Sequence, residues 1–146
     1  MDANALAEAC AEAMWADDQA ARNLGIAISD VSPGRAVATM TVTEAMVNGH
    51  DICHGGYMFL LADTAFAYSC NTYDQRTVAQ HCSINFLNPA FRGDVLTATA
   101  EERHRAGRSG IYDVMVTRAD GTRIVEFRGM SRTIKGTLLG TAGDGQ

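Results

Sequence analysis

The sequence GGYMFLLADTAFAYSC, residues Gly55–Cys70, is apolar on every side of a helix of about four turns at 3.6 residues per turn. A helix without a polar face has to be enclosed by protein. The segment is shorter than the ~18 residues that a membrane span requires, and Asp63 interrupts it, so a transmembrane helix is not expected. The sequence therefore predicts a buried central helix around which the rest of the fold is arranged.

Short segments rich in β-branched residues flank this helix. Two precede it, Gly25–Asp30 and Arg35–Thr43, and the turn residues Ser32-Pro33-Gly34 separate them. Two strands, a long helix and further strands predict an α+β fold, in which an antiparallel sheet of five to six strands curves around the central helix. The strands expected after the helix are Thr77–Leu87, Asp94–Arg105, Gly110–Arg118 and Arg123–Ile134.

The two ends of the chain differ from its centre. Residues 3–21 are rich in alanine and other helix formers, so an N-terminal helix is expected within residues 1–22. Residues 136–146 are rich in glycine and threonine and are expected to form a flexible tail. The 146 residues, 47% hydrophobic and 20% charged, have the size and composition of a single domain spanning residues 1–146.

The charge of the chain limits its partners. A net charge of −5 argues against general nucleic-acid binding, which requires a basic surface. Residues 1–75 hold ten acidic and two basic side chains, whereas residues 76–146 hold seven acidic and ten basic ones. The basic half fits either a small phosphorylated ligand or an ordinary solvated sheet face, and the charge count does not separate the two.

The start of the chain and its cysteines indicate where it works. Met1–Asn4 has no basic segment followed by an apolar one, as a secretory signal would, so a cytoplasmic protein that does not enter a membrane is expected. The four cysteines are scattered without a C-x-x-C pair. Free thiols are therefore expected rather than disulfides or a zinc site.

Asp63 is the one carboxylate in the apolar helix. A carboxylate in such a place either is satisfied by a neighbouring backbone group or Thr64, or serves a chemical purpose. Loss of hydration would raise its pKa, which suits a general base or a nucleophile near neutral pH. Both interpretations stay open at this point.

The loop Asn48–Gly56, with the sequence NGHDICHGG, leads directly into the helix. Its glycines either allow close approach of a ligand to free amides at the helix N-terminus, or only permit the turn. His50 and His54 have the spacing of a metal pair, but a glycine-flanked loop does not place them on one helix face, and no metal is expected. Cys53 beside His54 is an improbable nucleophile because adjacent residues seldom align thiol and imidazole.

The loop and helix together resemble the signature of the PaaI group of hotdog-fold thioesterases, which is found in phenylacetate degradation. The resemblance rests on Asn48-Gly49-His50, on Cys53-His54-Gly55-Gly56 and on Leu61–Ala65. It extends over roughly residues 20–135. The segments that carry it further are Ser83–Pro89, Gly93–Ala98 and Phe127–Gly129.

The resemblance implies a role for three residues in hydrolysis. Asp63 would be the catalytic carboxylate, the Gly55 N–H would polarise the thioester carbonyl, and the Asn48 amide would hold the water or the carboxylate. Some hotdog thioesterases carry a serine or threonine on the strand after the helix, where this chain has Ala79. The resemblance thus leaves open whether Asp63 activates water or attacks the thioester itself.

The resemblance also implies where the substrate binds. Coenzyme A would lie near the hairpin that follows the second strand after the helix, and two arginines there would contact its phosphates. Coenzyme A belongs to the substrate, and no separate cofactor is expected. The substrate-binding residues are expected to be His54, Gly56, Phe86, Arg105, Gly107, Arg108 and Ser109.

Phenylacetyl-CoA or a ring-hydroxylated phenylacetyl-CoA is the implied substrate. One helix on one sheet leaves sheet edges uncovered, so a homodimer is expected as the minimal active unit and a tetramer as a dimer of dimers. Two other functions stay open. A hotdog enoyl-CoA hydratase or dehydratase would pair His54 with Asp63, whereas a non-catalytic acyl-CoA binding module would need no buried carboxylate.

Overall fold

The structure, a computed structural model, describes residues 1–140, and these form three α-helices and six β-strands. The helices are α1 (Ala3–Asp17), α2 (Gln19–Asn23) and α3 (Gly55–Cys70). The strands are β1 (Ala27–Ser32), β2 (Arg35–Thr41), β3 (Thr77–Phe86), β4 (Val95–Ala106), β5 (Ser109–Thr117) and β6 (Arg123–Thr133). Every strand begins and ends within two residues of its predicted bounds.

All six strands form one antiparallel sheet in the order β1-β2-β4-β5-β6-β3. Helix α3 contacts every strand, which requires the sheet to curve around it. The predicted α+β architecture, a curved sheet around a long central helix with a helical N-terminus, is confirmed. The edges of the sheet are β1 and β3, and each has a single neighbour.

The core lies between α3 and the inner face of the sheet. Leu61, Ala62 and Ala65 are fully buried there, and the Phe66 ring lies 5.7 Å from the ring of Tyr112. Alternate residues of β5 are buried, as expected of a strand with one face on the core. The inward-facing residues that meet α3 include Ala98, Ala100, Val114, Val116 and Phe127.

One stripe of α3 is not covered by its own chain. Leu60, Asp63 and Ala67 are only partly buried, and their spacing of three and four residues places them on a single helix face. The enclosure that the apolar sequence predicts is therefore incomplete within one chain. None of the helices in the described part is both long and apolar enough to cross a membrane.

The N-terminal helical segment, predicted as one helix, is divided at Asp18. The Asp18 carboxylate accepts a hydrogen bond from the Ala21 N–H at 3.1 Å, which caps α2. It also accepts one from the hydroxyl of Tyr68 on α3 at 2.9 Å. A buried partner on another helix therefore determines where α1 ends, and no local sequence pattern contains that information.

The segment after β6 is bonded to the loop after α3. The N–H groups of Leu138 and Leu139 both donate to Asp74 Oδ1, at 2.9 and 3.0 Å. Arg76 donates from its side chain to the Thr137 carbonyl. Residues 141–146 of the predicted tail lie outside the described residues.

The packing of β6 against α3 generates a stability prediction. A Cβ at Gly129 would lie 2.7 Å from ring atoms of the buried Phe66. We expect Gly129→Ala to lower the free energy of unfolding by about 1–3 kcal/mol through overpacking. Urea denaturation measures this, and Gly49→Ala is the control because its Cβ would meet no atom within 4 Å. Equal losses in both variants would contradict the prediction.

Candidate active site

Asp63 lies on the open stripe of α3 and has no partner in the described chain. No hydrogen bond or ion pair within residues 1–140 involves its carboxylate, and burial raises its pKa. Thr64, the alternative partner considered from the sequence, donates its hydroxyl to the Leu60 carbonyl at 2.7 Å instead. The carboxylate is thus partly desolvated, unpaired and accessible from outside the subunit.

Two cysteines lie close enough to Asp63 for its charge to affect them. Burial, and then the negative charge of Asp63, raises the pKa of Cys82 on β3. The pKa of Cys70 is raised to about 12, chiefly by burial. Both thiols therefore stay protonated near neutral pH and are poor nucleophiles. Sequence reasoning did not place them beside Asp63, although the alternation of β3 directs Cys82 to the inner face.

Cys53, the other thiol considered as a nucleophile, is also unsuited to that role. It is buried, its Sγ donates a weak hydrogen bond to the His54 carbonyl at 3.6 Å, and burial raises its pKa to about 11. Its backbone N–H donates to the Ala90 carbonyl at 2.7 Å. Cys53 therefore anchors the loop before α3.

The N-terminus of α3 offers one unused amide. His54 caps the helix, and its Nδ1 accepts a hydrogen bond from the Gly56 N–H at 3.0 Å. The N–H of Gly55 has no acceptor among residues 1–140. Of the two glycines that sequence reasoning singled out, Gly55 therefore supplies the free donor, and the positive end of the helix dipole reinforces it.

Phe86, at the end of β3, packs beside Gly55. Two of its ring atoms lie 3.1 Å from the position that a Cβ on Gly55 would occupy. The residue as a whole is 52% exposed. A ligand whose carbonyl reaches the Gly55 N–H could therefore contact an aromatic side chain that is about half exposed.

Asn48 stabilises the loop through its side-chain oxygen, while its side-chain NH₂ group (Nδ2) makes no hydrogen bond within the described residues. Its Oδ1 accepts hydrogen bonds from the N–H groups of His50 and Ile52, at 2.9 and 3.2 Å. Asn48 can therefore act on a substrate only as a donor, toward a carbonyl, a water oxygen or a carboxylate.

The neighbouring segment fixes this loop. Asp51 has a φ of +60°, a conformation that non-glycine residues rarely adopt, and its carboxylate lies 3.5 Å from the Arg92 guanidinium. The Arg92 N–H also donates to the Asp51 carbonyl. The His54 N–H donates to the Met46 carbonyl at 2.8 Å. These bonds hold the start of α3 in place from both sides.

The remaining predicted site residues lie at the opposite end of α3. Gly107, with a φ of +60°, and Arg108 form the two-residue turn between β4 and β5. Arg105 and Ser109 flank this turn, and all four residues line a groove that also includes Cys70, the last residue of α3. The groove is thus separated from Gly55 by the length of the helix, about 22 Å at 1.5 Å per residue.

One chain therefore brings the predicted residues together in two groups. Asn48, His54, Gly55, Gly56 and Phe86 gather at the N-terminal end of α3, and the hairpin residues gather at its C-terminal end. Asp63 lies between the two groups, on the open stripe. Within residues 1–140, no three His, Cys, Asp or Glu side chains are grouped to hold a metal ion.

Comparison with known proteins identifies the family of the chain. The family model for the thioesterase superfamily matches residues 50–125, which include α3 and most of the loop before it. The chain belongs to the thioesterase superfamily. Among its relatives is the acyl-coenzyme A thioesterase PaaI of Escherichia coli (strain K12), which is 49% identical over 132 residues, 90% of this chain and 94% of that protein.

Solved structures of other proteins resemble this thioesterase along most of its length. The E. coli PaaI protein from the phenylacetic acid degradation operon superposes with a TM-score of 0.91 at 47% identity, covering 93% of this chain and 99% of that one. The TT0310 protein of Thermus thermophilus superposes with a TM-score of 0.76 at 31% identity, covering 80% of this chain and 98% of that one. The predicted family is therefore confirmed.

Sequence reasoning missed three residues that the thioesterase places around the hairpin groove. Tyr73 and Tyr112 line it, and Glu102 bonds to both tyrosines. No spacing in the sequence links these positions, because they come from a loop and two strands. Only the alternation of β4 and β5 indicates that Glu102 and Tyr112 share the inner face of the sheet.

The raised pKa of Asp63 generates a pH prediction. If its carboxylate is the reacting base, thioesterase activity rises with pH through a midpoint above 3.8, the value for a free aspartate. Asp63→Asn should abolish at least about 99% of turnover, since an amide is neither a base nor a nucleophile. A pH–rate profile and single-point assays of both proteins measure this.

The stability of the same variant supplies the control. Because the pKa is raised in the folded state, the unfolded state loses its proton first, and wild-type stability falls as pH rises through the interval from 3.8 up to the raised value. Asp63→Asn lacks this fall and should be at least as stable as wild type at pH 7. A folded variant with near-normal turnover would contradict a catalytic role for Asp63.

Proposed function

We propose that this thioesterase hydrolyses acyl-CoA thioesters, with phenylacetyl-CoA or a ring-hydroxylated phenylacetyl-CoA as its substrate. The observation that carries the proposal is the unpaired, partly desolvated carboxylate of Asp63 on a helix whose N-terminal Gly55 N–H is unused within the described chain. The name of the E. coli relative, an acyl-coenzyme A thioesterase, supports the thioester class. The origin of the similar E. coli structure in a phenylacetic acid degradation operon supports the acyl group.

Hydrolysis of a thioester requires two protein groups that act on the same carbonyl. The Gly55 N–H would donate to the thioester oxygen and stabilise the negative charge that develops there. Asp63 would either take a proton from an attacking water or attack the carbonyl carbon itself, after which water would release the acid. In both routes a C–O bond forms, the C–S bond breaks, and the thiolate of coenzyme A leaves and takes up a proton.

The position of Ala79 bears on these two routes. Its methyl group offers no hydroxyl to orient a water, and it lies on β3, the strand next after α3. The free Nδ2 donor of Asn48 can hold either the water or the carboxylate. We therefore assign the orienting role to Asn48 in both routes.

Helix geometry separates the two reacting groups of one chain. Gly55 and Asp63 are eight residues apart, about 12 Å along the helix axis. One carbonyl carbon cannot lie about 3 Å from both groups. We propose that Gly55 and Asn48 of one subunit meet Asp63 of a second subunit, so that a homodimer has two composite sites.

Two uncovered surfaces support such a dimer. The open stripe of α3 carries Asp63 itself. Strand β3 is a sheet edge of ten residues without an acidic, lysine or arginine side chain, and Val78 and Phe86 on it are exposed. Unprotected edges of this length favour pairing with another chain. The opposite edge, β1, has six residues and an irregular register, which discourages pairing.

The aromatic acyl group is supported by the surroundings of Gly55. The Phe86 ring lies beside Gly55, and Tyr57 and Phe59 on the first turns of α3 are only partly buried. Aromatic rings favour offset or edge-to-face contacts with other rings. An arylacetyl group held at Gly55 would find such a contact with Phe86.

The proposal also includes the tetramer that is expected from the sequence. It includes a cytoplasmic location, where the four cysteines of the described chain would stay free thiols.

A hydratase is the rival function, and the site disfavours it. A hydratase would use His54 as its base, but His54 Nδ1 already accepts a hydrogen bond from the Gly56 N–H at 3.0 Å, which removes one of the two ring nitrogens from that role. Thiol release from phenylacetyl-CoA, read with a thiol reagent, tests hydrolysis directly. Hydration of an enoyl-CoA without thiol release would overturn the proposal, and release of no thiol from any CoA ester would favour a binding module.

The composite site generates a complementation prediction. Asn48→Ala and Asp63→Ala should each be nearly inactive alone, because each removes one side of the site. When the two are refolded together in equal amounts, half of the dimers are mixed, and each mixed dimer has one intact site of two. We therefore expect about a quarter of wild-type activity. Proven subunit exchange without recovered activity would mean that the site lies within one chain.

A further inference from the structure

A partly buried polar cluster lines the hairpin groove, away from the reacting groups. Glu102 Oε1 accepts hydrogen bonds from the hydroxyl groups of Tyr73 and Tyr112, at 2.8 and 2.9 Å. Burial, and then the hydrogen bond to Glu102, raises the pKa of each tyrosine, so both hydroxyls remain donors at neutral pH. One carboxylate oxygen thereby fixes two rings from different parts of the fold.

Arg105 lies on top of this cluster with its donors unused. Its guanidinium carbon is 3.5 Å from the ring centroid of Tyr73, a close cation–π contact. Its Nε forms an ion pair with Glu102 Oε1 at 3.6 Å, a distance too long for a hydrogen bond. Within residues 1–140 the guanidinium donates no hydrogen bond. The stack fixes its plane, and its N–H groups remain available to a ligand.

A β-bulge directs Arg105 to this face of the sheet. Glu102 pairs with Tyr112 and His104 pairs with Ile111, so Arg103 is an extra residue in β4. Without this bulge, strict alternation from the inward-facing Glu102 would turn Arg105 outward. The bulge instead places Arg105 opposite Gly110, on the inner face.

Another arginine on β4 shows the contrast. The side chain of Arg103 donates to Asp113 at 2.9 Å, and Arg128 donates to the same carboxylate at 2.7 Å. These guanidinium groups are occupied by a carboxylate on the outer face. Arg105 is held by a ring and has no carboxylate hydrogen-bonded to it within the described chain, which is the arrangement that leaves an arginine free to bind a phosphate.

We propose that Glu102 and Tyr73 are positioning residues that hold Arg105 ready for the phosphates of the nucleotide end of coenzyme A. The inference rests on the proposed function, because it needs an acyl-CoA substrate whose coenzyme A lies near this hairpin, as the family resemblance implies. Arg108 and the Ser109 hydroxyl border the same groove and supply further donors. The preorganised guanidinium lowers the cost of ordering a long side chain on binding.

The consequence is a selectivity for coenzyme A over shorter thiols. A pantetheine thioester has the same acyl group and the same reacting bond but lacks the nucleotide and its phosphates. Loss of the positioning residues should therefore weaken binding of the CoA ester alone. Turnover at saturation should change little, because phosphate contacts are made in the ground state and the transition state alike.

Steady-state kinetics with phenylacetyl-CoA and phenylacetyl-pantetheine test the inference. Tyr73→Leu removes the stack and should raise KM for the CoA ester about three- to thirtyfold. Tyr73→Phe keeps the ring and loses only the hydrogen bond to Glu102, so a smaller rise is expected. Glu102→Gln should also raise KM, while kcat and the constants for the pantetheine ester stay within about twofold of wild type.

The matched control is Glu101→Gln, the same change one residue away. Glu101 points outward and pairs with Arg35 at 3.6 Å, so its loss should leave both KM values unchanged. Equal effects of Glu102→Gln on both esters would indicate a structural role and overturn the inference. So would an unchanged KM for the CoA ester in folded Tyr73 and Glu102 variants.

A binding measurement separates this inference from the proposed function. If wild type released no thiol from either ester, the proposed function would fail, and calorimetric titration with coenzyme A itself would test the groove. The inference then expects a dissociation constant that rises in Tyr73→Leu and Glu102→Gln and not in Glu101→Gln. Equal dissociation constants in wild type and all three variants, or no binding to wild type, would overturn it.

Discussion

Burial of α3 against the inner face of the sheet is the interaction on which the rest of the structure depends. The helix is apolar almost throughout, and six strands curve around it to remove that surface from water. Small residues allow the close approach: Ala62 and Ala65 are fully buried, and Gly129 leaves room for the Phe66 ring. The curvature of the sheet and the position of the core along α3 both follow from this packing.

The same packing leaves one stripe of α3 open, and Asp63 is on it. A carboxylate on a fully enclosed apolar helix would have to be neutral or paired, whereas one on the outside would be hydrated and ordinary. Asp63 is between these limits, partly buried and without a partner in the described chain. The incomplete enclosure thus gives the raised pKa and the access that a reacting carboxylate requires.

The length of α3 sets the distance between the two groups of candidate site residues. Its N-terminal end presents the Gly55 N–H beside Phe86, and its C-terminal end borders the groove beneath which Glu102 fixes Tyr73. A single chain holds these two ends about 22 Å apart. In the dimer that we propose, the N-terminal end of α3 in one subunit would meet Asp63 on the α3 of the second subunit.

The sequence by itself determined the architecture and indicated candidate residues for the site. The apolar run around Asp63 required a buried helix, the β-branched segments required six strands, and both are local patterns that periodicity reveals. The loop before the helix indicated Asn48 and Gly55 because glycines and a helix N-terminus have a local signature. Those inferences needed no knowledge of which distant residues meet.

Only the tertiary structure decided features that depend on contacts between distant segments. The amide of Gly55 stays free within the described chain, whereas the Gly56 N–H donates a hydrogen bond to Nδ1 of His54. The N-terminal helix divides at Asp18 because Tyr68, fifty residues away, donates to it. Arg105 faces inward because of a one-residue bulge in β4, and a sequence pattern does not record the register between strands.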